Sequence, residues 1–193
     1  MTRTFIALEM DANIQRHLNG FIQQVAPVLP TLRWVDPQGI HLTLAFLGEL
    51  DDERLASASA AAQKASQLCT PFSYSLTQPG IFGSPRQPRV LWMGIEEVSG
   101  SLKRLHRLLQ QELEQSDFET ETRPFSPHLT LARGKAPLNA TEQATLQKIL
   151  AQKNPNAILA GPYPVKHIHV MKSELSRSGA TYTCLQKYPL QYK

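Results

Sequence analysis

The letters HLTLA occur twice in the chain, at residues 41–45 and again at residues 128–132. Side chains alternate across an extended strand, so each copy turns one histidine and one threonine to the same face: His41 with Thr43, and His128 with Thr130. An imidazole titrates near neutrality, and in a pair one ring can accept a proton while the other donates one. Displacement in line at phosphorus needs that division of labour, with a base beside the entering oxygen and an acid beside the leaving oxygen. The threonine hydroxyls can donate to non-bridging oxygens, and Arg133, five residues after His128, adds a charge-assisted donor. Two such strands facing each other are equipped to break a P–O bond without a metal. A lone histidine at the head of an apolar strand is ordinarily a satisfied structural residue. Here both copies keep His and Thr while their neighbours diverge after the fifth letter, which favours chemistry.

The elements that must position these residues alternate between strand and helix. Residues 3–9 read as a strand, after which Asp11 caps a helical pattern carried by Ile14, Leu18, Phe21, Ile22 and Val25 and ended before Pro27. Leu32 to Val35 make a short extended piece, residues 41–47 a strand, and Asp51 and Asp52 open an alanine-rich helix to about Leu68. Strands are expected at Phe72 to Leu76 and Val90 to Ile95, separated by QPGIFGSPRQPR, whose Pro, Gly and Arg content reads as a long loop and a candidate substrate rim. Ser101 starts a helix with Leu102, Leu105, Leu108, Leu109 and Leu113 on one face, and Thr141 leads another to about Leu150. Residues 165–171 and 181–187 are two closing strands around a turn at 177–179. A helix before and after each HLTLA strand gives the order of a duplication, two lobes rather than a solenoid.

Composition narrows the class. Of 193 residues, 41% are hydrophobic and 19% charged, which fits a globular chain able to bury a core and excludes a disordered one. The formal charge of +4 is a mild excess, compatible with an anionic partner without requiring one. Cys69 and Cys184 stand far apart, so neither a disulfide framework nor a zinc spacing is present, and a reducing compartment fits. The first residues lack a signal-peptide core and no segment reaches the length of a membrane span, so a cytoplasmic protein is expected.

Other residues have weaker claims. Phe46 is assigned by strand parity to the His41 face, as a substrate-binding aromatic or a core residue. Trp34 and Phe82 could stack on a base, though apolar packing is the better account. Arg86, Arg89 and Arg123 could meet flanking phosphates or remain surface arginines. His167 and His169 form an H-x-H, but no third ligand lies nearby in sequence, and they are read as solvent-facing strand histidines with no metal. His17 and His106 fall on helices without an assigned partner.

The stretches WVDPQGIHLTLAFLGEL and RPFSPHLTLAR resemble the paired His-x-Thr motifs of the two-histidine (2H) phosphoesterases. Within that superfamily the chain is most similar to the bacterial RNA 2',3'-cyclic phosphodiesterases, also called the 2'-5' RNA ligase family. The likeness runs from RTFIALEM to SELSRSGATY, nearly the whole chain. It implies an α+β fold, bilobal and pseudo-twofold, with two antiparallel sheets around a central cleft and helices outside, residues 1–193 forming a single two-lobed domain. It implies opening of a 2',3'-cyclic phosphate at an RNA end to a 2'-phosphate, with no metal and no cofactor. By the same resemblance His41 is the general acid that protonates the 3'-oxygen, His128 the base that activates water, and Thr43 and Thr130 hold the phosphate. Arg133 matches the arginine that closes the second motif. The implied partners are RNA ends bearing the cyclic phosphate, such as tRNA halves, with no membrane, and the protein is expected to be a monomer. Microscopic reversibility adds a reverse reaction in which a 5'-hydroxyl replaces water and leaves a 2'-5' linkage.

Three other readings stay open on the motifs alone: a phosphodiesterase for a small cyclic nucleotide or an ADP-ribose cyclic phosphate, an RNA-binding module without turnover, and a metallohydrolase with histidine ligands.

Overall fold

In the computed structural model, residues 1–151, 159–175 and 179–191 are described. Nine strands and four helices follow in the order β1 (Thr2–Glu9), α1 (Ala12–Val25), β2 (Leu32–Trp34), β3 (His41–Leu50), α2 (Asp52–Gln67), β4 (Phe72–Gly83), β5 (Pro88–Glu96), α3 (Ser101–Glu114), β6 (His128–Gly134), α4 (Ala140–Ala151), β7 (Ala160–Val165), β8 (His167–Leu175) and β9 (Ala180–Pro189) among the described residues. They build two antiparallel sheets, one of four strands in the order β3-β1-β8-β9 and one of five in the order β2-β6-β5-β4-β7. This is the α+β, two-sheet architecture that the family resemblance implies. The motif strands β3 and β6 touch where the sheets meet.

Local signals start the helices where the letters place them. Asp11 accepts from the N–H groups of Asn13 and Ile14 at 2.9 and 3.0 Å, and Asp51 from Arg54 at 2.8 Å, each satisfying donors that a helix leaves unpaired. At α4 the cap is reciprocal: Asn139 Oδ1 accepts from Glu142 N–H at 2.9 Å while Glu142 Oε2 accepts from Asn139 N–H at 3.1 Å. The buried Glu142 carboxylate also accepts from the N–H and hydroxyl of Thr31, both at 2.9 Å, tying α4 to the entrance of β2. Burial opposes its charge, but these donors from Thr31 and Asn139 hold the carboxyl below the usual carboxylate range.

The largest core lies beneath the sheets. Ile6, Leu8, Leu42 and Leu44 of the four-stranded sheet join Leu129, Leu131 and Met93 of the five-stranded one, with the leucine face of α3 and the alanines of α2 against them. Ala58, Ala61, Ala62 and Ala65 are fully or nearly fully buried, so α2 lies close against its neighbours. A second cluster, with Val25, Leu91, Ala132 and Leu146, packs the end of α1 and α4 against the five-stranded sheet.

Two expectations are corrected. The segment 78–89 is not a long loop: β4 continues to Gly83 and β5 begins at Pro88, so only residues 84–87 connect them and the broad rim is absent. Pro79 is accommodated because the register of β4 and β5 shifts between Leu76 and Pro79, where its missing N–H breaks no regular ladder. The strand expected at 165–171 is two strands, β7 ending at Val165 and β8 starting at His167. β7 holds Pro162 and Pro164, which disguise it in sequence, and lies at the sheet edge, where proline is tolerated. Of the expected turn at 177–179, only Gly179 is among the described residues. Among those residues, no helix is long and apolar enough to cross a membrane.

Candidate active site

Both motif histidines sit at the first residue of their strand and are held in the same way. His41 Nδ1 lies 2.8 Å from the carbonyl oxygen of Gly39, and His128 Nδ1 lies 2.8 Å from that of Ser126. A carbonyl only accepts, so each Nδ1 carries the proton of that bond, and Nε2 is the nitrogen whose protonation changes. Each ring also has two aromatic neighbours. His41 lies 4.6 Å from Phe5 and 4.8 Å, edge-on, from Tyr182. His128 lies 4.9 Å, edge-on, from Phe82 and 6.3 Å from Trp92. A carbonyl on one nitrogen and aromatic walls limit rotation of both imidazoles.

The strands after the histidines share an irregularity. Ala7 faces Thr43 and Ile6 faces Ala45, so Leu44 is an extra residue in β3. Trp92 faces Thr130 and Leu91 faces Ala132, so Leu131 is the extra residue in β6. The fourth letter of each HLTL is therefore a bulge, which reverses the alternation beyond it. Strict parity from His41 would turn Phe46 to the opposite face; the bulge, and not parity, brings it into the cleft with His41 and Thr43. Arg133 occupies the equivalent place five residues after His128 and lines the same cleft. The bulged carbonyls leave the ladder and find other donors: Leu131 O accepts from Val35 N–H at 2.9 Å, and Leu44 O from the Gln110 side-chain amide at 3.3 Å.

The cleft between the sheets has a volume of about 770 Å³. His41, Thr43, Phe46 and Arg133 line it, whereas His128 and Thr130 do not border it and lie alongside on the Phe82–Trp92 wall. Phe46 is 57% exposed and the Arg3 guanidinium lies 5.0 Å from its ring centre, so it is no core residue. Trp34 lines the cleft while packing on both cores, and its indole N–H donates to Leu29 O at 3.3 Å.

The remaining candidates lie elsewhere. Arg123 pairs with Glu121 at 2.5 Å, and neither it nor Arg86 or Arg89 lines the cleft. His169 is buried at 5% exposure, which corrects the expectation of a solvent-facing pair. Burial first, then the charges of Lys187 and His167, push its pKa down to about 4. His106 stacks on Phe125 at 3.9 Å, three residues ahead of His128, and its Nε2 lies 3.3 Å from the Gln110 amide nitrogen. Burial lowers its pKa, in keeping with a neutral ring that accepts from Gln110.

Sequence reasoning did not single out Arg3, Phe5, Arg33, Trp92, Gln110 or Tyr182. Alternation along RTFIA was the one available signal, placing Arg3, Phe5 and Ala7 on a common face. Nothing local announces Tyr182, which reaches His41 from the last strand.

Two His-x-Thr strands set side by side at the junction of two antiparallel sheets, above a cleft lined with arginine, define a 2H phosphoesterase. Residues 13–177 match the 2'-5' RNA ligase superfamily, and the chain belongs to that family. It is 32% identical to the RNA 2',3'-cyclic phosphodiesterase of Thermus thermophilus over 98% of this chain and 90% of that protein. Among solved structures it is similar to TT0787 of Thermus thermophilus, with a TM-score of 0.79 and 29% identity over 97% of each chain. Escherichia coli LigT complexed with 3'-AMP superposes with a TM-score of 0.75 and 26% identity over 99% of each chain.

Proposed function

We propose that the protein opens 2',3'-cyclic phosphates at RNA ends to leave a 2'-phosphate, using no metal, with His41 protonating the departing 3'-oxygen and His128 taking the proton of the attacking water. The observation that carries this reading is the matched tether of the two imidazoles. With each Nδ1 bound to a carbonyl at 2.8 Å, one ring can serve as acid and the other as base through the same atom, Nε2. Thr43, Thr130 and Arg133 donate to the non-bridging oxygens, and Phe46 offers a face to the terminal nucleoside. The relatives' name supports the substrate class, and 3'-AMP bound to LigT supports a nucleotide-sized cleft.

The same displacement with a 5'-hydroxyl in place of water as the nucleophile forms a P–O5' bond as the P–O3' bond breaks, giving a 2'-5' linkage; in water hydrolysis dominates. On this reading residues 1–193 work as one two-lobed monomer, in the cytoplasm, on ends such as those of tRNA halves. The test is to incubate the protein, with chelator present, with a short RNA ending in a 2',3'-cyclic phosphate and to identify the monophosphate formed. A 2'-phosphate is expected. A 3'-phosphate product, or loss of turnover with chelator, overturns the mechanism; turnover of small cyclic phosphates but not RNA overturns the substrate assignment.

A further inference from the structure

Arg33 stands directly opposite Arg133 in the pairing of β2 with β6. Residues opposed in an antiparallel pair project from the same face with Cβ atoms roughly 5 Å apart, and like charges there are destabilising. Both arginines line the cleft. No carboxylate lies within 4.0 Å of either among the described residues, where the ion pairs are Lys64 with Glu112, Arg123 with Glu121 and Lys172 with Glu174. Asp36 also borders the cleft, but its carboxylate accepts from Gln38 N–H at 2.9 Å and caps a single-turn helix. Arg3 is differently placed, with Glu49 opposite it in the β1–β3 register and Phe46 beneath its guanidinium. The uncompensated pair is therefore Arg33 with Arg133.

The end of Arg33 lies beside Gly179, just ahead of the last strand. A Cβ on Gly179 would lie 3.3 Å from Arg33 Nη2, so the side chain crosses the cleft from the five-stranded sheet to the start of β9. Gly179 precedes Tyr182, the neighbour of His41, by three residues, on the order of 10 Å along an extended chain. A cyclic phosphodiester carries one negative charge, for which Arg133 and the threonines already provide. A second guanidinium, set beside Gly179 and with no counter-ion among the described residues, suits a second phosphate.

Resting on the RNA-end reading above, we propose that Arg33 binds the phosphate that precedes the terminal nucleotide, so that the site selects an oligonucleotide end over a mononucleoside. The test is equilibrium binding of two non-reacting ligands: adenosine 2'-monophosphate, and an ApA dinucleotide carrying the same 2'-phosphate on its terminal ribose. The wild-type protein is expected to bind the dinucleotide at least ~10-fold more tightly at low salt, with a salt slope steeper by about 0.7, the amount for one further phosphate on a single strand. Arg33→Met, with folding checked by its melting curve, should abolish most of that advantage while costing the mononucleotide clearly less, and Arg33→Lys should restore part of it. Equal binding of the two ligands by the wild type, an equal loss of both in Arg33→Met, or no binding of either overturns the proposal. Turnover of a cyclic-phosphate end alongside any of those results would leave the function standing and remove only the role of Arg33.

Discussion

Gln110 on α3 donates its side-chain amide to the carbonyl of Leu44, 3.3 Å away, at the residue where the first HLTL strand bulges. That carbonyl has left the ladder, and without Gln110 it becomes a poorly satisfied acceptor beneath the site. Gln110→Leu is expected to cost about 1–3 kcal/mol, the range for stranding a buried polar group. Because the bulge brings Phe46 into the cleft, turnover should fall as well. Urea unfolding and steady-state kinetics of the variant check both; unchanged stability would show that Leu44 finds another donor.

His41→Ala and His128→Ala should each lower turnover at least ~10²-fold, the usual worth of a positioned acid or base. The double variant should be little worse than either single one, since the rings act as a unit. The pH profile of the wild type should be bell-shaped, its limbs belonging to the coupled pair. Near-normal turnover in either single variant would remove acid-base catalysis by that residue.

Gly80 faces Trp92 in the β4–β5 pairing, and a Cβ there would lie 2.2 Å from the indole ring. Trp92 in turn stands 6.3 Å from His128, and its buried indole N–H has no hydrogen-bond partner among the described residues. Gly80→Ala must therefore displace the ring that walls His128. Overpacking of this kind costs about 1–3 kcal/mol. Turnover should fall while the folded state persists, as a melting curve and kinetics on the same sample would show. Full activity would mean that the indole wall does not orient His128.

His169 gives a pH dependence of stability whose sign follows from its lowered pKa. The unfolded chain takes up a proton near pH 6.5, whereas the folded state resists until about pH 4, chiefly through burial and then through Lys187 and His167. The stability associated with the neutral ring is thus present above pH 6.5 and is lost as the pH falls toward 4. Urea midpoints measured from pH 7 to pH 5 should decline in the wild type and decline less in His169→Gln. Parallel curves would show that other groups govern this window.

The His-x-Thr pairs stood out as candidates because chemistry-bearing letters repeat, and a repeat is visible without a structure; Arg133 lies outside the repeat and entered as the charged residue that follows it and through the family resemblance. The bulges were not, since both copies carry leucine at the fourth place and a bulged leucine reads like a regular one. Hence Phe46 was assigned to the right face for the wrong reason. Helix starts at Asp11 and Asp51 were legible because capping is local. The extension of β4 through Pro79 and the edge strand β7 were hidden by prolines whose cost depends on position in the sheet. Arg33 lay in plain view beside Trp34, but its significance depends on what stands across the ladder, which only register supplies. The Tyr182 wall of His41 is a contact between the third strand and the ninth, beyond the reach of any local pattern.

The sheets also divide the chain unevenly. The sheet that carries His41 joins β1 and β3, from the beginning of the chain, to β8 and β9, from near its end. A chain emerging from a ribosome can pair β1 with β3 early, but the other edge of β1 waits for β8, and His41 waits for Tyr182. Contacts so distant in sequence are slow to form, because a long loop must close before they repay its entropy. The two HLTLA copies, whatever their origin, cannot mature one after the other: the first is synthesised long before the second and still depends on residues made after it.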